Sequence, residues 1–211
     1  MKVALSRVHF PVTTLGPGRR VGIWFQGCSV RCPGCISMDT WHPRQADVEV
    51  SMLLESIRGW LAESDGVTIS GGEPFDQPDA LMAVVEGVRH LTHGSVFVYS
   101  GHSYSSICSH PAVAEGLIDA LMSEPFMLDE RQTLLLRGSD NQRLHLLTEK
   151  GKAEFSCFER DDSGDTKNLD FMVDNDGAVW LAGIPQRGDM RKLQALLASQ
   201  GHVISVTEGR Q

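Results

Sequence analysis

Three cysteines fall in one short run, Gly27-Cys28-Ser29-Val30-Arg31-Cys32-Pro33-Gly34-Cys35, and their C-x3-C-x2-C spacing constrains this chain more than any other feature. Closely spaced thiolates suit zinc or iron–sulfur groups. Three of them can carry a four-iron cluster and leave one iron without a protein ligand, whereas clusters that only move electrons normally use four. An open iron can bind a substrate or cofactor directly, as a catalytic zinc does at its vacant position. The competing reading is a structural zinc loop completed by His42 or Cys157. A second motif, Ser70-Gly71-Gly72-Glu73-Pro74, follows about one supersecondary unit later. A zinc loop has no need of that companion, so the pair points to chemistry at an iron–sulfur cluster.

A chain of 211 residues is long enough for one substantial core, and 41% hydrophobic with 22% charged residues is ordinary globular composition. The net charge of −8 argues against a general nucleic-acid binder. Arg19, Arg20, Arg31 and Arg44 flank the cysteine loop, as a local basic patch facing an acidic electron donor or simply as a solvated loop. The start of the chain shows no apolar signal-peptide region, and no stretch approaches the roughly 18 apolar residues of a membrane span. Five cysteines, three of them clustered, do not make a secreted disulfide framework. A reducing cytoplasm would keep these thiols available to metal.

Residues 20–25 read as a buried strand feeding the cysteine loop. Residues 51–62 place Leu53, Leu54, Ile57 and Leu61 on one helical face, with Ser51 as N-cap. Residues 67–70 form a strand delivering the Gly-Gly-Glu-Pro turn. A helix follows from Pro78, with Ala80, Leu81, Val84, Val85 and Val88 at helical spacing. Residues 95–99 are a third strand, 104–107 a short helix and 117–122 a further strand. Residues 159–167 read as an exposed polar loop. Strands at 169–173 and 178–182 then flank the hairpin signal Asn175-Asp176-Gly177, before a helix over 188–199 that stops at Gly201. Strands alternating with amphipathic helices imply a mostly parallel sheet with its functional loops at the strand C-termini. Periodicity does not separate a curved barrel from an open, doubly wound sheet.

The two motifs in this order resemble those of the radical S-adenosylmethionine (SAM) superfamily, and the chain looks most like the small activating enzymes of glycyl-radical enzymes, notably those serving anaerobic ribonucleotide reductase. Gly34 before the third cysteine, the segment Val96–Tyr104 and the run Arg137-Gly138-Ser139-Asp140-Asn141-Gln142-Arg143 extend the likeness over about residues 15–147. It thins at Met122-Ser123-Glu124-Pro125-Phe126 and gives no guidance past about residue 150. The resemblance implies an α/β fold built as an incomplete (βα) barrel over residues 1–150. A C-terminal hairpin and helix appendage, residues 151–211, would pack on it within one domain.

The resemblance also implies a [4Fe-4S] cluster on Cys28, Cys32 and Cys35. SAM would be held by Gly34, Cys35, Ile36, Gly71, Gly72, Glu73 and Ser100. Glycines at 71 and 72 let backbone approach such a ligand closely, so a side chain at Gly72 is expected to weaken SAM binding and spare the cluster. Glu73 either positions the ligand or pins its loop. Arg137, Asn141 and Arg143 either reach SAM or a partner, or fix a loop. His102 reads as a loop residue, Cys108 and Cys157 as structural thiols, and Trp24, Trp60 and Trp180 as core. The implied activity is reductive cleavage of SAM to a 5′-deoxyadenosyl radical that takes a hydrogen from a glycine of a partner enzyme. An external one-electron donor would drive it. The alternatives are direct action on a small molecule or peptide, favoured if the tail closes the barrel, and a structural zinc or electron-transfer module.

Overall fold

The computed structural model describes residues 1–160, 169–173 and 179–202. The chain runs through β1 (Lys2–Val3), β2 (Leu5–Val12), β3 (Arg20–Phe25), β4 (Val48–Glu49), α1 (Val50–Glu63), β5 (Gly66–Gly71), α2 (Pro78–Leu91) and β6 (Ser95–Tyr99). It continues through α3 (Tyr104–Ile107), α4 (Pro111–Ala114), β7 (Ala120–Ser123), β8 (Arg143–Leu146), α5 (Glu149–Phe155), β9 (Leu169–Val173), β10 (Val179–Gly183) and α6 (Asp189–Ser199).

Six strands form one mixed sheet in the order β2-β3-β5-β6-β7-β8. The central β3, β5, β6 and β7 are parallel, as the alternation of strands and helices requires, while β2 and β8 are antiparallel edges. The α/β class is therefore as expected. The edge strands and α5 add to the expected elements, although Val8-Phe10-Val12 in β2 and Leu144-Leu146 in β8 alternate with other residues as half-buried strands do.

Side chains split by parity across the sheet. Ile23, Phe25, Val96, Val98 and Leu121 join the core against the helices, where Leu53, Ile57 and Leu61 of α1 meet Leu81, Val84 and Val88 of α2. Their neighbours Trp24, Phe97, Ala120 and Met122 point the other way, into two smaller clusters closed by Ala182 and Phe155. Each fully buried aliphatic side chain on either face contributes about 1.5–3 kcal/mol.

Local differences from the sequence reading have local causes. Helix α1 begins at Val50, with Glu49 rather than Ser51 at the N-cap, because Glu49 is still paired with Lys2. Helix α2 starts at Pro78 as expected, with Asp79 in its first turn and Arg89 and His90 in its last, each placed favourably for the helix dipole. Strand β7 starts at Ala120, not at residue 117, since the amides of Leu117 and Ile118 both donate to the carbonyl of Ala112. Arg20 is no part of a surface patch. It is fully buried, donating to the hydroxyls of Thr68 and Ser95 and the carbonyls of Pro17, Val67 and Ser95.

Beyond the main sheet, β9 and β10 pair antiparallel and α6 follows from Gly188, whose positive φ makes the turn. The Asn175-Asp176-Gly177 signal and most of the 159–167 loop lie outside the described residues. No helix among the described residues is long and apolar enough to cross a membrane.

Candidate functional site

Each leading motif leaves the C-terminal end of a central parallel strand: the cysteine loop after β3, Gly72-Glu73-Pro74 after β5, and Ser100-Gly101 after β6. The first two loops are joined backbone to backbone. The amide of Glu73 donates to the carbonyl of Gly27 at 2.8 Å and that of Gly72 to Phe25 at 2.8 Å. The far side of the cysteine loop is tied by Gly27 and Cys28 amides donating to the carbonyls of Thr40 and Trp41. Its tip is tied by Asp76, which accepts from the Ser29 amide at 2.6 Å and hydroxyl at 2.8 Å.

The glycines answer first to this packing. A Cβ on Gly71, whose φ is +105°, would lie 2.4 Å from the Phe25 carbonyl oxygen, and one on Gly72 would lie 2.0 Å from that of Gly27. At these two positions the loops leave no room for a side chain between them.

Glu73 pins the loop. Its carboxylate accepts from the Phe75 amide at 3.1 Å, the Ser100 hydroxyl at 2.9 Å and the Gly101 amide at 2.7 Å. It thereby joins the loops after β5 and β6, and it is buried. Burial pushes its pKa above the usual carboxylate range, with those donors and nearby His102 pulling the other way. The Ser100 hydroxyl, committed to Glu73, is held on the cavity wall.

A cavity of about 760 Å³ opens over these loops, lined by Cys28, Cys32 and Cys35 together with Gly71, Gly72 and Glu73. That volume lies well inside the range of small-molecule sites. Gly34, Ile36 and Ser100 line it too, so every residue expected to touch the cluster or SAM reaches one chamber. Burial raises all three thiols, Cys35 to about 11, with Cys28 raising Cys32 further and both of them raising Cys35. Metal must therefore displace protons from them. The set suits such a group: the Arg31 amide points at Cys28 Sγ at 3.5 Å and the Ser37 amide at Cys35 Sγ at 3.4 Å, the sulfur hydrogen bonds that tune iron–sulfur clusters. Among the described residues no three Cys, His, Asp or Glu side chains converge on the position of a single ion. A cluster instead takes each thiolate at a different iron. His42 and Cys157, the candidate fourth zinc ligands, do not line the cavity.

Other candidates fall elsewhere. Buried Arg137 donates to Gln142, Leu135 and Phe158 carbonyls and to Glu159, and Asn141 donates to Pro125, so both fix the loop before β8. Arg143 lies exposed on β8. His102 sits 3.1 Å from Asp76, the residue that ties the cysteine loop. Cys108 is half-buried and Cys157 exposed. Trp24 is core, and Trp60 stacks on Phe10 at its edge.

Trp180 corrects its reading as core. It stands on the cavity wall, and the Arg7 guanidinium lies 5.4 Å from its ring and 5.4 Å from that of Trp24. Arg7 also pairs with Asp39, just past the third cysteine. Residues 179–188 line the cavity throughout, a contribution that a segment so distant in sequence gave no local sign of.

Comparison with known proteins places the site in context. Residues 14–145 match the family model described as a 4Fe-4S single cluster domain. The anaerobic ribonucleoside-triphosphate reductase-activating protein of Escherichia coli K12 is 28% identical over 149 residues, covering 66% of this chain and 96% of the relative. The protein of the same name from phage T4 is 25% identical over 134 residues, covering 61% and 85%. A pyruvate formate-lyase-activating enzyme of Listeria monocytogenes is 38% identical over 91 residues, covering 39% and 36%.

Proposed function

The chain belongs to the 4Fe-4S single cluster domain family, and from that premise we propose that it is a SAM-cleaving activase that installs a glycyl radical on a partner enzyme. The observation that carries the proposal is the junction of the cysteine loop with the Gly72-Glu73 turn in one cavity. Relatives named as activators of anaerobic ribonucleotide reductase and of pyruvate formate-lyase support the same reading and make an enzyme of that kind the partner. Cys28, Cys32 and Cys35 would hold a [4Fe-4S] cluster. When bound, that cluster supplies the electron, received from an external donor, for reductive cleavage of SAM to a 5′-deoxyadenosyl radical.

The residues of the chain bind and orient. Gly34, Cys35 and Ile36 would present one wall to SAM and the backbone at Gly71-Gly72 another. Glu73 holds the second wall to the third through Ser100. We read the main sheet as the incomplete barrel of this superfamily, with residues 1–150 as its core and 151–211 as the appendage, in a cytoplasmic protein.

Direct action on a small molecule or peptide is the second reading, and one observation favours it: the appendage lines the cavity instead of leaving that side open. The deciding experiment is anaerobic reconstitution with iron and sulfide, then SAM and a strong reductant, with assay for 5′-deoxyadenosine. The nucleoside should appear and vanish in Cys32→Ala. A fully formed cluster that yields none, with or without a partner enzyme, would overturn the proposal.

A further inference from the structure

The family match ends at residue 145, yet the appendage beyond it supplies part of the cavity wall and much of its rim. In the β9–β10 pair, Val173 faces Val179, Met172 faces Trp180, Phe171 faces Leu181 and Asp170 faces Ala182. Facing residues share a side of the ribbon, so Asp170, Met172, Trp180 and Ala182 form one face and Phe171, Val173, Val179 and Leu181 the other.

The first face is used. Asp170 is buried and accepts from the backbone amides and hydroxyls of Thr13 and Thr14 at 2.6–3.1 Å. Ala182 joins Val12, Leu15 and Trp24, and Trp180 meets Arg7. The strap after β10 is fixed across the mouth, where Pro185 accepts from Gln132 and Arg187 donates to Met127 and Glu130.

The second face is open: Phe171 is 58%, Val173 70% and Val179 60% exposed. It is continuous with the cavity, whose wall includes Val179 and Leu181. Ile36, exposed on the cysteine loop, lines the same cavity. On the ribbon itself the exposed Phe171 and Val173 stand directly opposite Leu181 and Val179, both of which line the cavity, so the apolar face runs on from the cavity wall. Exposed apolar residues scattered singly are ordinary, whereas a contiguous set beside a cavity marks an interaction surface.

We infer that the outer face of the β9–β10 ribbon is the docking surface for the polypeptide substrate, whose glycine segment enters the cavity while flanking apolar side chains rest on Phe171, Val173 and Val179. This rests on the activase reading above. A small molecule would be covered by the cavity walls and would leave an outward apolar face unused. A protein whose loop must reach the chamber has to lie across the rim. The appendage therefore narrows the entrance and also supplies the surface that selects what enters.

The test compares the wild type with the double variant Phe171→Thr, Val173→Thr, in which β-branched replacements keep strand preference. The probe is purified anaerobic ribonucleoside-triphosphate reductase from the same organism, with the glycyl radical read by electron paramagnetic resonance. The variant should keep its cluster absorbance and partner-free 5′-deoxyadenosine formation, while its KM for the reductase rises at least about tenfold. An unchanged KM overturns the docking surface and leaves the activase reading standing. No radical with the wild type, despite deoxyadenosine formation, removes the reductase as partner and this occupant with it. A wild-type dimer that becomes monomeric in the variant assigns the face to a second copy of this chain and overturns the proposal. Should the double variant fail to fold, Val173→Thr alone, at the most exposed of these positions, carries the same comparison.

Discussion

Gly72 stands so close to the carbonyl oxygen of Gly27 that a Cβ added at position 72 would lie 2.0 Å away. Gly27 immediately precedes the first cysteine, so a side chain at Gly72 would push on the cluster loop itself. The expectation that such a substitution spares the cluster therefore changes. Gly72→Ala should lower the cluster absorbance per chain after reconstitution and destabilise the fold by about 1–3 kcal/mol, as overpacking does. Full cluster content with only weakened SAM affinity would show that the loops part without cost.

Removal of single thiols should sort the five cysteines. Cys28→Ala, Cys32→Ala and Cys35→Ala should each abolish the charge-transfer absorbance, while Cys157→Ser, at an exposed site outside the cavity, should leave the spectrum unchanged. Iron and sulfide analysis of the purified variants checks both halves. A spectrum lost in Cys157→Ser would point to a fourth protein ligand and remove the open iron.

What was legible in the sequence was local. Helix faces such as Leu53-Ile57-Leu61 are written in periodicity, the short apolar run 67–70 marks the strand observed at Gly66–Gly71, and each motif after a strand lies at the sheet's C-terminal edge. The long-range role of each polar group was not legible. Glu73 meets the Ser100 hydroxyl 27 positions away, and Arg137 closes its own loop through Glu159, contacts that exist only after the sheet has stacked those loops. The appendage was readable as a hairpin and helix, but its seat depends on Asp170 reaching Thr13 and Thr14 across more than 150 residues. No pattern within the segment records that partner.

Glu73 gives the site a pH signature. Burial raises its folded pKa above the unfolded value, so the folded state holds the proton more tightly. Its contribution to stability is then complete below the ordinary carboxylate pKa and is lost as pH rises through the raised one. Glu73→Gln removes this titration and sets an amide N–H2 against the Phe75 or Gly101 amide, at a cost of about 1–3 kcal/mol for the unsatisfied donors. Thermal melts of both proteins from pH 4 to pH 8 should show the wild-type advantage shrinking as pH rises. An advantage that grows with pH would mean the donors around the carboxylate outweigh its burial.

Asp170 and Arg7 together decide whether the appendage stays on the core. Asp170 collects two amides and two hydroxyls from the turn after β2, and charge-assisted bonds of this kind are the stronger class. Arg7 wedges Trp180 against the wall and holds Asp39 beside the cysteine loop, so the appendage and the cluster loop share one cation. Asp170→Ala should therefore free β9 and β10 at a cost of roughly 2–4 kcal/mol to that segment while the main sheet persists. Arg7→Lys should loosen the same contact less, because an ammonium does not stack between two indoles as a guanidinium does. Hydrogen exchange resolved by peptide reads the difference: amides of 169–173 and 179–183 should lose protection in Asp170→Ala, and those of β5 and β6 should not. If protection falls everywhere, the appendage is part of the core's own stability and the two cannot be separated.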